Sequence, residues 1–175
     1  MLPIESGLAV LAPAAEPLVG PFRDKYDPSG AAGMPTHITL LYPFKPPVEI
    51  DQIVLDKLRE CFSRFRPFAF SLSAIRCFHD GVLYLIPEPD EPFRLLTLMI
   101  WDAYPETPPY GGRYSSVAPH LTVAQLADER QAEQMAVEFA RASRGQLPIH
   151  AMATEIALMD TLTGSWQVRA TFALR

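Results

Sequence analysis

The chain has 175 residues, 49% of them hydrophobic and 20% charged, with a formal net charge of −5. That length and composition describe one globular domain with a core of its own and exclude a disordered chain. The negative balance excludes a general field for gathering long nucleic acid, whose binding rests on Lys and Arg neutralising phosphates, and leaves room for a local pocket that takes a small or short phosphate ligand.

The first apolar stretch, Leu8-Ala9-Val10-Leu11, is closed by Pro13 and reads as a buried strand. No Lys or Arg precedes it, which makes a poor secretory leader, and no apolar run approaches the ~20 residues of a membrane span. Cys61 and Cys77 have neither metal nor redox spacing and read as buried free thiols in a reducing compartment. The expectation is a cytoplasmic protein with no membrane partner. Glu16 to Tyr26 reads as a helix with Pro17 in its first turn, although Gly20 and Pro21 interrupt the pattern. Residues 27–33 form a loop, and Thr36 to Tyr42 is a strand ended by Pro43.

Asp51 to Phe65 carries Ile53, Val54, Leu58, Cys61, Phe62 and Phe65 at helical spacing, with Asp51 as N-cap. Phe68 to Phe78 alternates as a strand, His79-Asp80-Gly81 turns, and Val82 to Ile86 returns. Glu91 to Tyr104 is a helix apolar nearly all round, which predicts deep burial. Pro105 to Ser116 is a polar loop rich in Pro and Gly, a composition that often carries function. A strand over Ala118 to Gln125 follows, then an amphipathic helix from Asp128 to Arg144 closed by Gly145. One strand over Leu147 to Leu158, a turn at Thr163-Gly164-Ser165 and a return strand over Trp166 to Leu174 complete the chain.

Two of these strands share a pattern: His37-Ile38-Thr39-Leu40 and His120-Leu121-Thr122-Val123. Side chains alternate along a strand, so each presents an imidazole and a hydroxyl on one face and two aliphatic groups on the other. A single histidine on a strand is ordinarily a surface or hydrogen-bonded core residue, as His79 and His150 are expected to be. Two His-x-Thr strands at matching places in two similar halves are a stronger signal. Each half reads motif strand, helix, hairpin, giving pseudo-repeats of about 1–88 and 89–175. A pseudo-twofold axis would bring the two polar faces together.

Those motifs, with that element order and the run Pro35 to Phe44, resemble the two-histidine (2H) phosphoesterase superfamily, in particular its 2′-5′ RNA ligase-like and cyclic phosphodiesterase-like members. The resemblance implies an α+β, bilobal fold: one domain over residues 1–175, antiparallel sheets lining a central cleft and helices packed outside. It implies a metal-independent enzyme with no cofactor, acting on 2′,3′-cyclic phosphates or 2′-5′-linked nucleotide and RNA-end phosphodiesters, with 2′-5′ RNA ligation as the reverse reaction. His37, Thr39, His120 and Thr122 would be the catalytic residues.

The chemistry suits them: phosphodiester opening needs a base for the nucleophile and an acid for the leaving oxygen, and imidazole serves as either near neutral pH. The threonine hydroxyls can donate to non-bridging oxygens. Which histidine is acid and which is base is left open by the near-symmetric motifs. Neither motif offers a carboxylate or a second imidazole to complete a metal site. For substrate binding, Arg113 in the Gly-rich loop is the expected phosphate-holding cation. Tyr42, Phe44 and Tyr114, with Tyr110 beside them, are expected stacking surfaces. The expected partner is a small nucleotide or short RNA end met by a monomer. The competing reading is a non-catalytic module that binds the same ligands in the same pocket.

Overall fold

The computed structural model describes residues 3–114 and 116–175; Ser115, in the loop singled out above, lies outside the described residues, as do Met1 and Leu2. The chain runs through β1 (Ser6–Leu11), α1 (Glu16–Tyr26), α2 (Pro28–Ala31), β2 (His37–Leu41), α3 (Gln52–Ser63), β3 (Phe68–Cys77), β4 (Val82–Glu88), α4 (Glu91–Ala103), β5 (Leu121–Gln125), α5 (Glu129–Ala142), β6 (Ile149–Ala153), β7 (Glu155–Asp160) and β8 (Gln167–Ala173). All eight strands join one antiparallel sheet in the order β6-β3-β4-β5-β2-β1-β7-β8. The two motif strands, β2 and β5, are its central neighbours. To either side the order is matched: β4 and β1 flank the centre, then β3 and β7, then β6 and β8 at the edges.

This sheet is strongly curled. The expected single strand over 147–158 is in fact two strands, β6 and β7, separated by Thr154 alone. They stand six inter-strand steps apart in the sheet order, which would be about 29 Å if the sheet were flat. One intervening residue spans no more than about 7 Å. The sheet must therefore bend until β6 and β7 meet at Thr154, leaving a concave face on one side.

The helices cover the other face. α4 packs on β2, α5 on β3 and β4, α1 on β5, and α3 on β8. Phe22 of α1 meets Phe139 of α5 edge to face, and the Thr97 hydroxyl of α4 donates to the Leu40 carbonyl at 2.8 Å. Gly20 and Pro21 do not break α1, which buries Leu18, Val19 and Arg23. Asp51 caps α3 through the Val54 amide, as its position predicts.

α4 departs from expectation. Phe93, Leu96 and Ile100 are buried, whereas Leu95, Leu98 and Trp101 are exposed. A helix laid on a sheet buries one stripe, however apolar the remainder. The two cysteines are free and half-buried rather than fully enclosed. Gly81 is required at the β3–β4 turn: its φ is +90°, and a Cβ there would lie 2.5 Å from the Leu126 carbonyl oxygen. Among the described residues no helix is long and apolar enough to cross a membrane.

Candidate active site

The strand register assembles the site. β2 and β5 pair antiparallel with Ile38 opposite Leu121. Continuing that register one residue each way sets His37 across from Thr122 and Thr39 across from His120. Ile38, Leu40, Leu121 and Val123 are buried beneath the sheet. Alternation therefore puts the two imidazoles and two hydroxyls together on the concave face. All four line one cavity of about 410 Å³, a size suited to a small ligand.

Both imidazoles are anchored alike. His37 Nδ1 lies 2.7 Å from the Pro35 carbonyl oxygen, and His120 Nδ1 lies 2.7 Å from that of Ala118. A ring nitrogen that close to a carbonyl must carry the proton, so each neutral ring is the Nδ1–H tautomer with its Nε2 lone pair free.

Their surroundings differ. Behind His37 lies the buried Arg23, whose Nη1 is 3.4 Å from His37 Nδ1. Burial of the ring, with the Arg23 guanidinium second, pushes the His37 pKa down to about 4. His120 is flanked by Phe78 and Tyr84, each edge-on to its ring, with centroids at 5.1 and 5.4 Å. Burial lowers its pKa as well, but the Ala118 carbonyl and the Asp80 carboxylate oppose that shift.

Of the expected substrate-binding residues, Tyr42 lines the cavity. Its hydroxyl donates to Glu5 at 2.7 Å and its ring meets Trp166 edge to face, 6.2 Å between centroids. Burial, reinforced by Glu5, pushes its phenol pKa up. Gly33, at φ +92°, lets the chain after α2 run beside Trp166, whose amide donates to the Ala32 carbonyl at 2.9 Å.

Phe44 requires correction: it is buried in the core, edge to face with Tyr104, and is not part of the cavity wall. Arg113 and Tyr114 also fall outside that wall, and both are exposed. The reason is the backbone turn before them, where Tyr110, Gly111 and Gly112 have φ of 52°, 63° and 75°. This left-handed run presents Tyr110 to the cavity and carries the following residues outward. The Tyr110 amide donates to the Tyr42 carbonyl at 2.6 Å, and burial pushes its phenol pKa up to about 12 against the lowering influence of Thr39.

Four further residues in or behind the wall were not singled out from the sequence: Arg23, Asp27, Glu5 and Trp166. Asp27-Pro28-Ser29 read there only as a loop, although its position just ahead of the first motif was the available signal. Among the described residues no three His, Cys, Asp or Glu side chains gather into a metal-binding cluster.

Residues 11–165 match the model of the 2′-5′ RNA ligase superfamily. A Bacillus licheniformis protein named as a putative phosphoesterase is 30% identical over 158 residues, covering 87% of this chain and 88% of its own. E. coli LigT, solved with 3′-AMP, superposes with a TM-score of 0.61 at 17% identity, over 99% of both chains. The Thermus thermophilus protein TT0787 gives 0.60 at 19%, over 98% of both. The fold is thus that of LigT, and the extent of the family match together with the Bacillus relative shows that the chain belongs to the 2′-5′ RNA ligase superfamily of 2H phosphoesterases.

Proposed function

We propose that this protein is a phosphodiesterase that opens 2′,3′-cyclic phosphates or 2′-5′-linked phosphodiesters on small nucleotides or short RNA ends, using its own two imidazoles and no metal. The observation that carries the proposal is the Ile38–Leu121 register, which gathers two imidazoles and two hydroxyls over one cavity. The complexes of E. coli LigT with 3′-AMP, NADP+ and ATP support a nucleotide class of ligand. The net charge of −5 favours small ligands over long RNA.

In this reading His37 is the base. Burial, and after it the Arg23 guanidinium, opposes a positive charge on it, so its Nε2 lone pair is available near neutral pH. Water attacks phosphorus and passes its proton to His37 Nε2. His120, whose pKa burial lowers while the Ala118 carbonyl and the Asp80 carboxylate work against that shift, takes the acid's part and in its charged form donates a proton from Nε2 to the departing ribose oxygen. The P–O bond breaks to leave a phosphomonoester and a hydroxyl. Thr39 and Thr122 donate to the non-bridging oxygens, where charge builds up. Ligation would use the same two groups with the 5′-hydroxyl of a second RNA end in place of water: that oxygen attacks the cyclic phosphate and gives its proton to one imidazole, while the departing ribose 3′ oxygen takes a proton from the other.

The test is hydrolysis of 2′,3′-cyclic mononucleotides in the presence of a chelator. Wild type is expected to turn over, and His37→Ala and His120→Ala are each expected to lose on the order of 10²–10⁴-fold in kcat. Activity surviving both substitutions, or lost on chelation alone, sinks the proposal. Tight binding of a non-hydrolysable analogue with no turnover across a nucleotide panel would make the pocket a binding module instead.

A further inference from the structure

Arg23 and Asp27 form an ion pair at 2.9 Å, and both side chains are at least 95% buried. Every end of this pair is committed to the wall behind His37. Arg23 Nε donates to Asp27 Oδ2, Nη2 donates to the Ser29 hydroxyl at 3.0 Å, and Nη1 donates to the Pro35 carbonyl. That carbonyl is the one that accepts from His37 Nδ1. Asp27 Oδ1 accepts from both the amide and the hydroxyl of Ser29. Gly30 sits so close that a Cβ there would lie 2.9 Å from Arg23 Cβ. The α1–α2 junction is therefore closed tightly around the guanidinium. The Ala118 carbonyl that holds His120 accepts from no such cation among the described residues.

We propose that the buried Arg23–Asp27 pair is a positioning device for His37. Through the shared Pro35 carbonyl it holds the ring with Nδ1 protonated and Nε2 free to accept a proton. A buried ion pair contributes little net stability compared with apolar packing, so this pair is better read by what its hydrogen bonds hold in place. Arg23 and Asp27 face His37 from the α1–α2 junction and His120 faces it from just ahead of β5. Of these, Arg23 and His120 disfavour a charge on His37, while Asp27 favours one. The catalytic consequence rests on the phosphodiesterase reading; the protonation state of His37 does not.

The experiment is a nitrogen-detected NMR titration of the four histidines, with His37 assigned from His37→Gln, alongside pH profiles of kcat/KM on a 2′,3′-cyclic mononucleotide. In wild type, His37 is expected in the Nδ1–H tautomer, titrating well below an ordinary imidazole. Arg23→Gln should raise its titration by roughly one pH unit or more, as expected for loss of a neighbouring charge. The acid limb of kcat/KM should move with it. Arg23→Lys, which keeps the charge, should titrate close to wild type. Arg23→Gln/Asp27→Asn removes both charges, keeps hydrogen-bonding groups, and should shift His37 upward if the single variant does not fold. A wild-type His37 in the Nε2–H tautomer overturns the proposal, as does a titration unmoved in folded Arg23→Gln or, where that does not fold, in Arg23→Gln/Asp27→Asn. If the NMR behaves as expected while no substrate is turned over, the positioning role stands and the phosphodiesterase reading falls.

Discussion

The depressed pKa of His37 is also a statement about stability, and it fixes how the protein should respond to acid. Folding lowers this group from an ordinary 6.5 to about 4. Between those values the unfolded chain binds the proton and the native one does not, so stability falls as pH falls. The contribution is complete above about pH 6.5 and is lost progressively until the native ring itself protonates near pH 4. Linkage over that interval gives a loss of about 1 kcal/mol by about pH 5.5 and about 3 kcal/mol by about pH 4.

Replacing the ring removes the term. Urea unfolding of wild type and His37→Gln across this range isolates it, because every other titrating group contributes to both curves. The wild type should lose about 3 kcal/mol more than the variant between neutral pH and about pH 4, with most of the divergence below about pH 6. Parallel curves would refute the burial and Arg23 effects assigned to His37, and with them the argument that it is the base.

Further outcomes follow from named contacts. Thr39→Val and Thr122→Val should each lower kcat on the order of 10²-fold with little change in thermal midpoint, since each removes a donor to a charge-accumulating oxygen; steady-state kinetics and thermal melts decide it. Gly81→Ala should destabilise by about 1–3 kcal/mol in a denaturant titration, because it combines a φ of +90° with a Cβ 2.5 Å from the Leu126 carbonyl. Phe44→Ala should cost about 3–5 kcal/mol of stability as a core truncation, leaving KM of the folded protein unmoved. Arg113→Ala should leave both stability and kcat/KM little changed, since its side chain is exposed outside the cavity wall.

Apart from the matching of the two motifs, what could be read from the sequence was local. The alternation of His37-Ile38-Thr39-Leu40 lies within one strand, and so did the inference that imidazole and hydroxyl share a face. The Asp51 cap of α3 was legible for the same reason. What stayed hidden depended on contacts distant in sequence. Arg23 lies 14 residues from His37 and reaches it only because α1 and α2 fold back against the start of β2. Nothing in Pro109-Tyr110-Gly111 announces that a tyrosine will adopt φ of 52°, yet that residue decides that Tyr110 enters the cavity while Arg113 leaves it. The break at Thr154 carries no turn residue, because it marks where the curled sheet meets itself. Composition showed α4 to be apolar but not which stripe would meet β2.

The asymmetry of the site is where the unread part matters most. Acid and base catalysis at one pH requires two groups in opposite protonation states, and two identical motifs cannot supply that difference by themselves. The motif-encoded portion is the same on both sides: each imidazole is held at 2.7 Å by the carbonyl two residues before it. The difference comes from flanking elements that share no pattern. A buried guanidinium stands behind His37 and adds to the burial that lowers its pKa, while at His120 burial is opposed by the Ala118 carbonyl and the Asp80 carboxylate, with two aromatic rings beside it. In the proposed mechanism the paired strands supply the reacting groups, and the elements around them set the direction in which the proton moves. A change at Arg23 would then act on the direction of proton transfer while leaving every motif residue in place.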